Sequence, residues 1–235
     1  MAPRVDARTD QVAGPETTEP SRERILRAAL EEFANRGFDG TTTAEIARRA
    51  GVTQPLVHYH FETKDTLWVA TMEAAFQGVF ATFDGVLAEL ADLGLIDQLK
   101  VLVRRYVRFG AAHPEIGRIV SHEGVQGGPR LQWLIDHHMA GQFDWFRQLY
   151  DAGVAQGLVK DLPAEHVITS LSAAGAYLFI VKAAMLELHG LDVADPAVIE
   201  AHADTVVELF FHGIVAGGPG PGASDTGAAG PGVAS

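Results

Sequence analysis

The sequence predicts an all-α protein. Apolar residues recur at helical spacing over most of the chain, no run alternates apolar and polar residues between turn signals, and helix start and stop residues fall at helix-length intervals. The chain has 235 residues and is 47% apolar, enough for one large core or two small ones. No internal repeat is visible.

Taken in order, residues 1–19 are polar and aperiodic, with Pro3, Gly14 and Pro15, and are expected to form a disordered arm. Pro20 and Ser21 open the first helix. Ile25, Leu26, Ala29, Leu30 and Phe33 form its apolar stripe, and Gly37 stops it. Thr42 to Glu45 reads as a capping box for a second, short helix that ends at Ala50 before Gly51. Thr53 is the next expected N-cap, for a helix from Gln54 to about His60. Thr63 caps a long helix towards Ala91, with Gly78 and Gly85 as possible bends. Further helices are expected at 95–111, 114–123, 129–156, 163–189 and 196–215. Pro114, Pro129, Pro163 and Pro196 suit first helical turns, where the missing N–H costs nothing, and Asp195 is an N-cap. The Gly/Pro/Ala/Ser-rich stretch 217–235 cannot build a core and is expected to be a disordered tail.

Composition narrows the function. There is no cysteine, so disulfides, cysteine zinc sites and thiol catalysis are excluded. No secretory leader is recognisable. The longest nearly uncharged apolar run, Leu171 to Val181, is far short of the roughly 20 residues that span a bilayer, so a cytoplasmic protein with no membrane partner is expected. The net charge is −12, unevenly spread: residues 1–64 carry 9 Lys/Arg against 10 Asp/Glu, the remainder 9 against 20. Half of the cations lie in the first quarter of the chain, which is compatible with a small DNA-contacting module on an acidic body.

The segment from Thr42 to Lys64 has the spacing of a helix-turn-helix. Ala44, Ile46, Ala47 and Ala50 give the first helix a small apolar face that allows close approach. Gly51 permits the left-handed backbone of a tight turn. Val57 and Phe61, four apart, anchor the second helix, which leaves Gln54, Pro55, His58 and Tyr59 facing outward. Eight helical residues span roughly 12 Å, the width of a major groove at roughly 12 Å. Arg48 and Arg49 read either as a solvated face or as phosphate ligands.

These positions resemble the TetR family of repressors. The resemblance covers residues 21–68: Phe33-Ala34-Asn35-Arg36-Gly37-Phe38, Thr42-Thr43, Ile46-Ala47, Ala50-Gly51-Val52-Thr53, Tyr59-His60-Phe61, Lys64 and Leu67. It implies a homodimer of all-α subunits. Each would carry an N-terminal three-helix helix-turn-helix domain (20–66) and a C-terminal ligand-binding and dimerisation domain of about six helices (67–216). A small-molecule effector would release operator DNA. By motif position it implies that Thr43, Thr53, Gln54, Tyr59, His60 and Lys64 lie at the DNA. Thr43, Tyr59, His60 and Lys64 would touch phosphates, and Gln54 would pair with an adenine edge through N6 and N7. His60 reads alternatively as a structural cap donor. Pro55 stands where the family often has Gly, and removes a backbone donor. His58 stands where it often has Tyr.

In the body, Leu171, Ala174, Leu178, Val181, Met185 and Leu188 form a stripe at 3–4 spacing, and Ile199, Val206, Phe210, Phe211 and Ile214 continue it on the last helix. Two such helices per subunit suit a four-helix dimer bundle, with an intramolecular core as the alternative. A cluster of aromatics and histidines in the middle suits a small-molecule cavity, for which His122, Trp133, His137 and Tyr177 are the candidates; core packing is the alternative. No resident cofactor is implied. A metal site is not expected, because adjacent helical residues such as His137 and His138 point about 100° apart and no His-x-x-x-His pair occurs. No phosphate loop or nucleophile elbow points to an enzyme. The motif by itself does not separate repressor from activator.

Overall fold

The computed structural model describes residues 19–83 and 85–212, and every regular element among them is helical. Helix α1 (Ser21–Arg36) buries Ile25, Leu26, Ala29 and Phe33 and ends at Gly37, whose φ of 68° an L side chain rarely adopts. The buried Thr41 hydroxyl donates to the Gly37 carbonyl at 2.8 Å, tying down the turn that follows. Helix α2 (Thr43–Ala50) has the expected cap: Thr42 Oγ1 accepts the Glu45 N–H at 3.2 Å. Gly51 is left-handed, at φ 65° and ψ 37°, and turns the chain into α3 (Gln54–Phe61).

Thr53 occupies the N-cap of α3 with extended backbone, but its side chain makes no cap hydrogen bond. A capping oxygen takes the N–H of the second or third helical residue; the second here is Pro55, which has none, and the third, Leu56, gives its N–H to the Thr53 carbonyl at 3.1 Å. Helix α4 (Lys64–Phe83) starts on a reciprocal pair: Thr66 N–H donates to Thr63 Oγ1 and Thr63 N–H to Thr66 Oγ1, both at 3.1 Å.

The long helices expected from periodicity are subdivided. The stretch 63–91 stops at Phe83 and resumes, after Gly85 at φ 71°, as the single turn α5 (Val86–Glu89). Helices α6 (Leu95–Ala112) and α7 (Pro114–Gln126) follow. The stretch 129–156 comprises α8 (Pro129–Leu134), a π turn over Ile135–Met139 and α9 (Ala140–Ala155). The stretch 163–189 comprises α10 (Ala164–Ile180) and α11 (Lys182–His189), bent by 69° where Val181, at ψ 30°, leaves helical geometry. Helix α12 (Pro196–His212) begins on the expected cap, Asp195 Oδ1 accepting the Ala197 N–H at 2.8 Å. The expected 213–215 end of this helix, including Ile214, lies outside the described residues, as do most of the arm and the whole tail.

The chain forms two compact units. Among the described residues, the first comprises 19–83, 85–92 and 112–148, the second 93–111 and 149–212. The first therefore contains more than the three-helix module, and its own contacts show why. Arg118 on α7 donates to Asn35 Oδ1 of α1 at 2.8 Å. The His122 imidazole lies over Gly37, so close that a Cβ there would fall 2.5 Å from its ring. The second unit packs Val103 and Val107 of α6 with Phe179 of α10 and Ala203, Val206 and Val207 of α12. Gly175 lets α10 come close to α6, since a Cβ would fall 2.8 Å from the Tyr106 ring.

Candidate nucleic-acid interface

The face of α3 is set by what lies beneath it. Val57 and Phe61 are buried on α1, α2 and α4, so the opposite side of the helix projects Gln54, Pro55, His58 and Tyr59, all exposed, Tyr59 to 80%. The Tyr59 ring meets the His60 ring edge-on, centroids 5.4 Å apart, and leaves most of its surface to solvent. Thr53 is also exposed, and Thr43, at the start of α2, is half-buried beside Gln54. Gln54 Nε2 donates to Thr43 Oγ1 at 3.2 Å and lies 3.4 Å from His58 Nε2. His58 Nδ1 in turn faces the Glu62 carbonyl at 3.2 Å. Glu62 is the one described non-glycine residue with positive φ, 52°, at the turn between α3 and α4.

The cations around this face divide into two kinds. Arg48 is exposed. Arg49, its neighbour, is committed inward: it donates to Glu31 and to the buried Glu32 of α1, each at 2.7 Å, and so clamps α2 to α1. Those hydrogen bonds, to Glu32 first, raise its pKa further above the ordinary arginine value. Arg36 completes the clamp by pairing with Glu32 at 3.2 Å and with Glu45. The Thr42 hydroxyl, and then Arg36, hold the Glu45 carboxyl below the usual carboxylate range. His60 is half-buried with Nε2 3.1 Å from Ser21 Oγ, so it joins the end of α3 to the start of α1. Lys64 is half-buried, its ammonium 4.2 Å from the Phe38 ring centroid.

Phe38 has a second cation on it. The Arg130 guanidinium lies 4.0 Å from the same centroid, and its Nε reaches both oxygens of Glu123 at 3.2 Å. Glu123 is only 1% exposed. Sequence reasoning singled out neither Arg130 nor its pairing with Glu123. The signal was present: Glu123 continues the buried stripe of Ile116 and Ile119 at helical spacing, and a charge in an apolar stripe demands a buried partner.

Of the effector candidates, the structure brings Trp133 and His137 together, ring centroids 4.7 Å apart. The cluster extends to Trp68, 5.4 Å from Trp133, and to His138, stacked on Phe76 at 4.4 Å. The π turn presents both histidines, and such insertions in helices recur at functional sites. Burial, then His137, lowers the His138 pKa, so the ring favours its neutral form. Trp68, Met72 and Phe76 recur every four residues on α4, a stripe that could have flagged this cluster in the sequence. His122 is used instead over Gly37. Tyr177 belongs to the second unit, where it is 61% exposed.

The dimerisation candidates also separate. Leu171, Ala174 and Leu178 pack against the core of their own unit, because the stripe at 3–4 spacing is the face that α10 turns to α6 and α12. Phe210 is 38% exposed and points away from that core, together with Tyr177, Leu186, Leu188 and Leu209. Among the described residues no single helix is long and apolar enough to cross a membrane.

Known proteins align with both parts of this architecture. Residues 25–71 match the family described as bacterial regulatory proteins, tetR family, and residues 96–210 match the tetracyclin repressor-like C-terminal domain. The HTH-type transcriptional regulator RutR of Escherichia coli is 23% identical over 190 residues, covering 81% of this chain and 88% of RutR. The HTH-type transcriptional repressor NicS of Pseudomonas putida is 28% identical over 145 residues, covering 60% of this chain and 66% of NicS. Among solved structures, AibR in complex with isovaleryl coenzyme A and operator DNA shares the fold with a TM-score of 0.65 at 19% identity, covering 82% of this chain and 98% of AibR. An exposed recognition face carried on a buried three-helix core, followed by a matching helical C-terminal region, places this chain in the TetR family of DNA-binding transcriptional regulators.

Proposed function

We propose that this chain is a cytoplasmic repressor that reads its operator as a homodimer and is released from it by a small-molecule effector. The carrying observation is the exposed row Gln54, Pro55, His58 and Tyr59, backed by the fully buried Val57 and Phe61. In this reading α3 enters the major groove. Gln54, near its N-terminal end, contacts a base edge. Thr43, Thr53, Arg48, Tyr59 and Lys64 set the register on phosphates, and His60 supports α3 from within. The near-neutral charge of the first 64 residues makes base contacts and shape weigh more than bulk attraction.

The exposed apolar residues Tyr177, Leu186, Leu188, Leu209 and Phe210 form the dimer surface in this reading, since this many large apolar side chains left exposed by one unit suit a covered face. Two copies of α3 then lie about 34–36 Å apart, one turn of DNA. Trp133 and His137, with Trp68, Phe76 and His138, belong to the region that senses the effector. The isovaleryl coenzyme A in the AibR complex makes acyl-coenzyme A compounds the first class to try. An effector releases DNA by binding more tightly to the state whose reading helices are wrongly spaced.

The experiment is capture and sequencing of fragmented genomic DNA on the purified protein at near-physiological salt, followed by titration of the captured operator with short-chain and long-chain acyl-coenzyme A. Enrichment of a pseudo-palindrome supports the dimeric reader, and loss of binding on titration supports release. Enrichment of single half-sites refutes the dimer reading. An operator affinity indifferent to every acyl-coenzyme A tried refutes that effector class.

A further inference from the structure

Thr43 at the start of α2, His58 on α3 and the Glu62 backbone carbonyl decide which way the Gln54 amide is turned. Gln54 Nε2 lies 3.2 Å from Thr43 Oγ1 and 3.4 Å from His58 Nε2. His58 Nδ1 lies 3.2 Å from the Glu62 carbonyl oxygen. A carbonyl only accepts, so the Nδ1 atom carries the proton. In the neutral ring Nε2 is then an acceptor, and the Gln54 amide nitrogen donates to it. An amide nitrogen has two hydrogens. One goes to Thr43 and the other to His58, which leaves Oε1 as the free end of the side chain. The chain's local order makes this possible: Gln54 and His58 are four apart and share a helix face, while Thr43 opens the helix packed against them.

We propose that Gln54 reads DNA through Oε1 alone and so selects a base carrying an exocyclic amino group, with Thr43 and His58 as the residues that position it. This rests on the reading of α3 as the recognition helix. In the major groove adenine offers the N6 donor beside the N7 acceptor, and cytosine offers the N4 donor. Guanine offers only the acceptors N7 and O6, and thymine the acceptor O4 and a methyl group. A bidentate glutamine–adenine pair needs the amide oxygen and a free amide N–H together. With both hydrogens engaged, the half of the pair that distinguishes adenine from cytosine is missing. Adenine and cytosine are accepted alike, whereas guanine and thymine meet the oxygen with an acceptor or a methyl group. The bidentate contact expected from the sequence is therefore replaced by a single one.

The test measures fluorescence anisotropy of the full-length protein on four operator duplexes that differ only at one base pair. That pair is the position whose preference the Gln54→Ala variant abolishes in a random-sequence selection. The unaltered protein should bind the adenine and cytosine duplexes within about threefold of each other and about tenfold more tightly than the other two. His58→Ala frees one amide hydrogen and should raise the adenine-over-cytosine ratio to about tenfold; Thr43→Val should move it the same way. A tenfold adenine preference already present in the unaltered protein, or a ratio unmoved in both variants, overturns the proposal while leaving Gln54 as a base reader. If Gln54→Ala alters no position's preference, the base-reading assignment itself fails.

Discussion

The two compact units are held together by different physics. In the first, two carboxylates are almost wholly buried: Glu32 joins α1 to α2 through Arg49, and Glu123 joins α7 to α8 through Arg130. In the second, the interior is apolar, built on Val103, Val107, Phe179 and Val206, and the ion pairs Arg104–Asp204 and Arg108–Glu200 lie at the surface between α6 and α12. The difference teaches where a charge pair matters. A buried carboxylate that loses its partner keeps its desolvation cost, whereas exposed partners return to water. The first unit has helices fastened to one another by directional bonds. The second relies on non-directional packing.

Removing one arginine from each unit tests this contrast most strongly. Arg130→Met leaves Glu123 buried without its cation and should cost about 3–5 kcal/mol in urea unfolding. A loss below 1 kcal/mol would erase the distinction. Gly37→Ala should come next. Its φ of 68° with ψ of 176° lies in a region essentially confined to glycine and penalises a side chain by about 1–3 kcal/mol, and the new Cβ meets the His122 ring in addition. A second substitution, His122→Ala, should recover the steric part and leave the backbone part, as read by paired thermal melts.

Protonation provides a smaller test that reaches both units. Burial lowers the pKa of His138 in the first and of His202 in the second. His202 sits edge-on to Phe179, with Nε2 3.0 Å from the Ala174 carbonyl. Each ring is harder to protonate folded than unfolded, so the unfolded chain binds more protons as pH falls. The stabilisation is complete above the ordinary value of 6.5 and is lost below it, through the lower folded values. The melting temperature should therefore fall between pH 7 and 5.5, and His202→Gln should flatten that slope. An unchanged slope would remove His202 from the account. The smallest effect belongs to Arg104→Ala, which should stay within about 1 kcal/mol because its partner Asp204 is exposed.

The sequence was most legible where local chemistry acts alone. The Thr42 cap, the Gly51 turn, the Asp195 cap and the outward row on α3 follow from residue types a few positions apart, and each stands as expected. Legibility failed where a distant partner decides. Leu171, Ala174 and Leu178 form a stripe that suits either a partner subunit or their own core, and periodicity cannot choose; the structure adds that all three, partly exposed, pack on the core of their own unit. For local reasons the Thr53 side-chain cap does not form: Pro55 has no N–H and the Leu56 N–H goes to the Thr53 carbonyl. His122 and Tyr177 were grouped with Trp133 by composition, but one is spent on the Gly37 turn and the other belongs to the second unit.

The amino-acid sequence by itself determined the all-helical class, the helix-turn-helix and the side of α3 that faces outward, because helix period, caps and glycine turns are encoded within about a turn of the chain. Tertiary structure alone decided that Arg49 is a clamp, that Phe38 lies between Lys64 and Arg130, and that Thr43 and His58 hold the Gln54 amide. Those roles depend on which charges and rings meet across helices, and both the worth of a buried charge and the direction of a hydrogen bond are fixed only when the partners are in place.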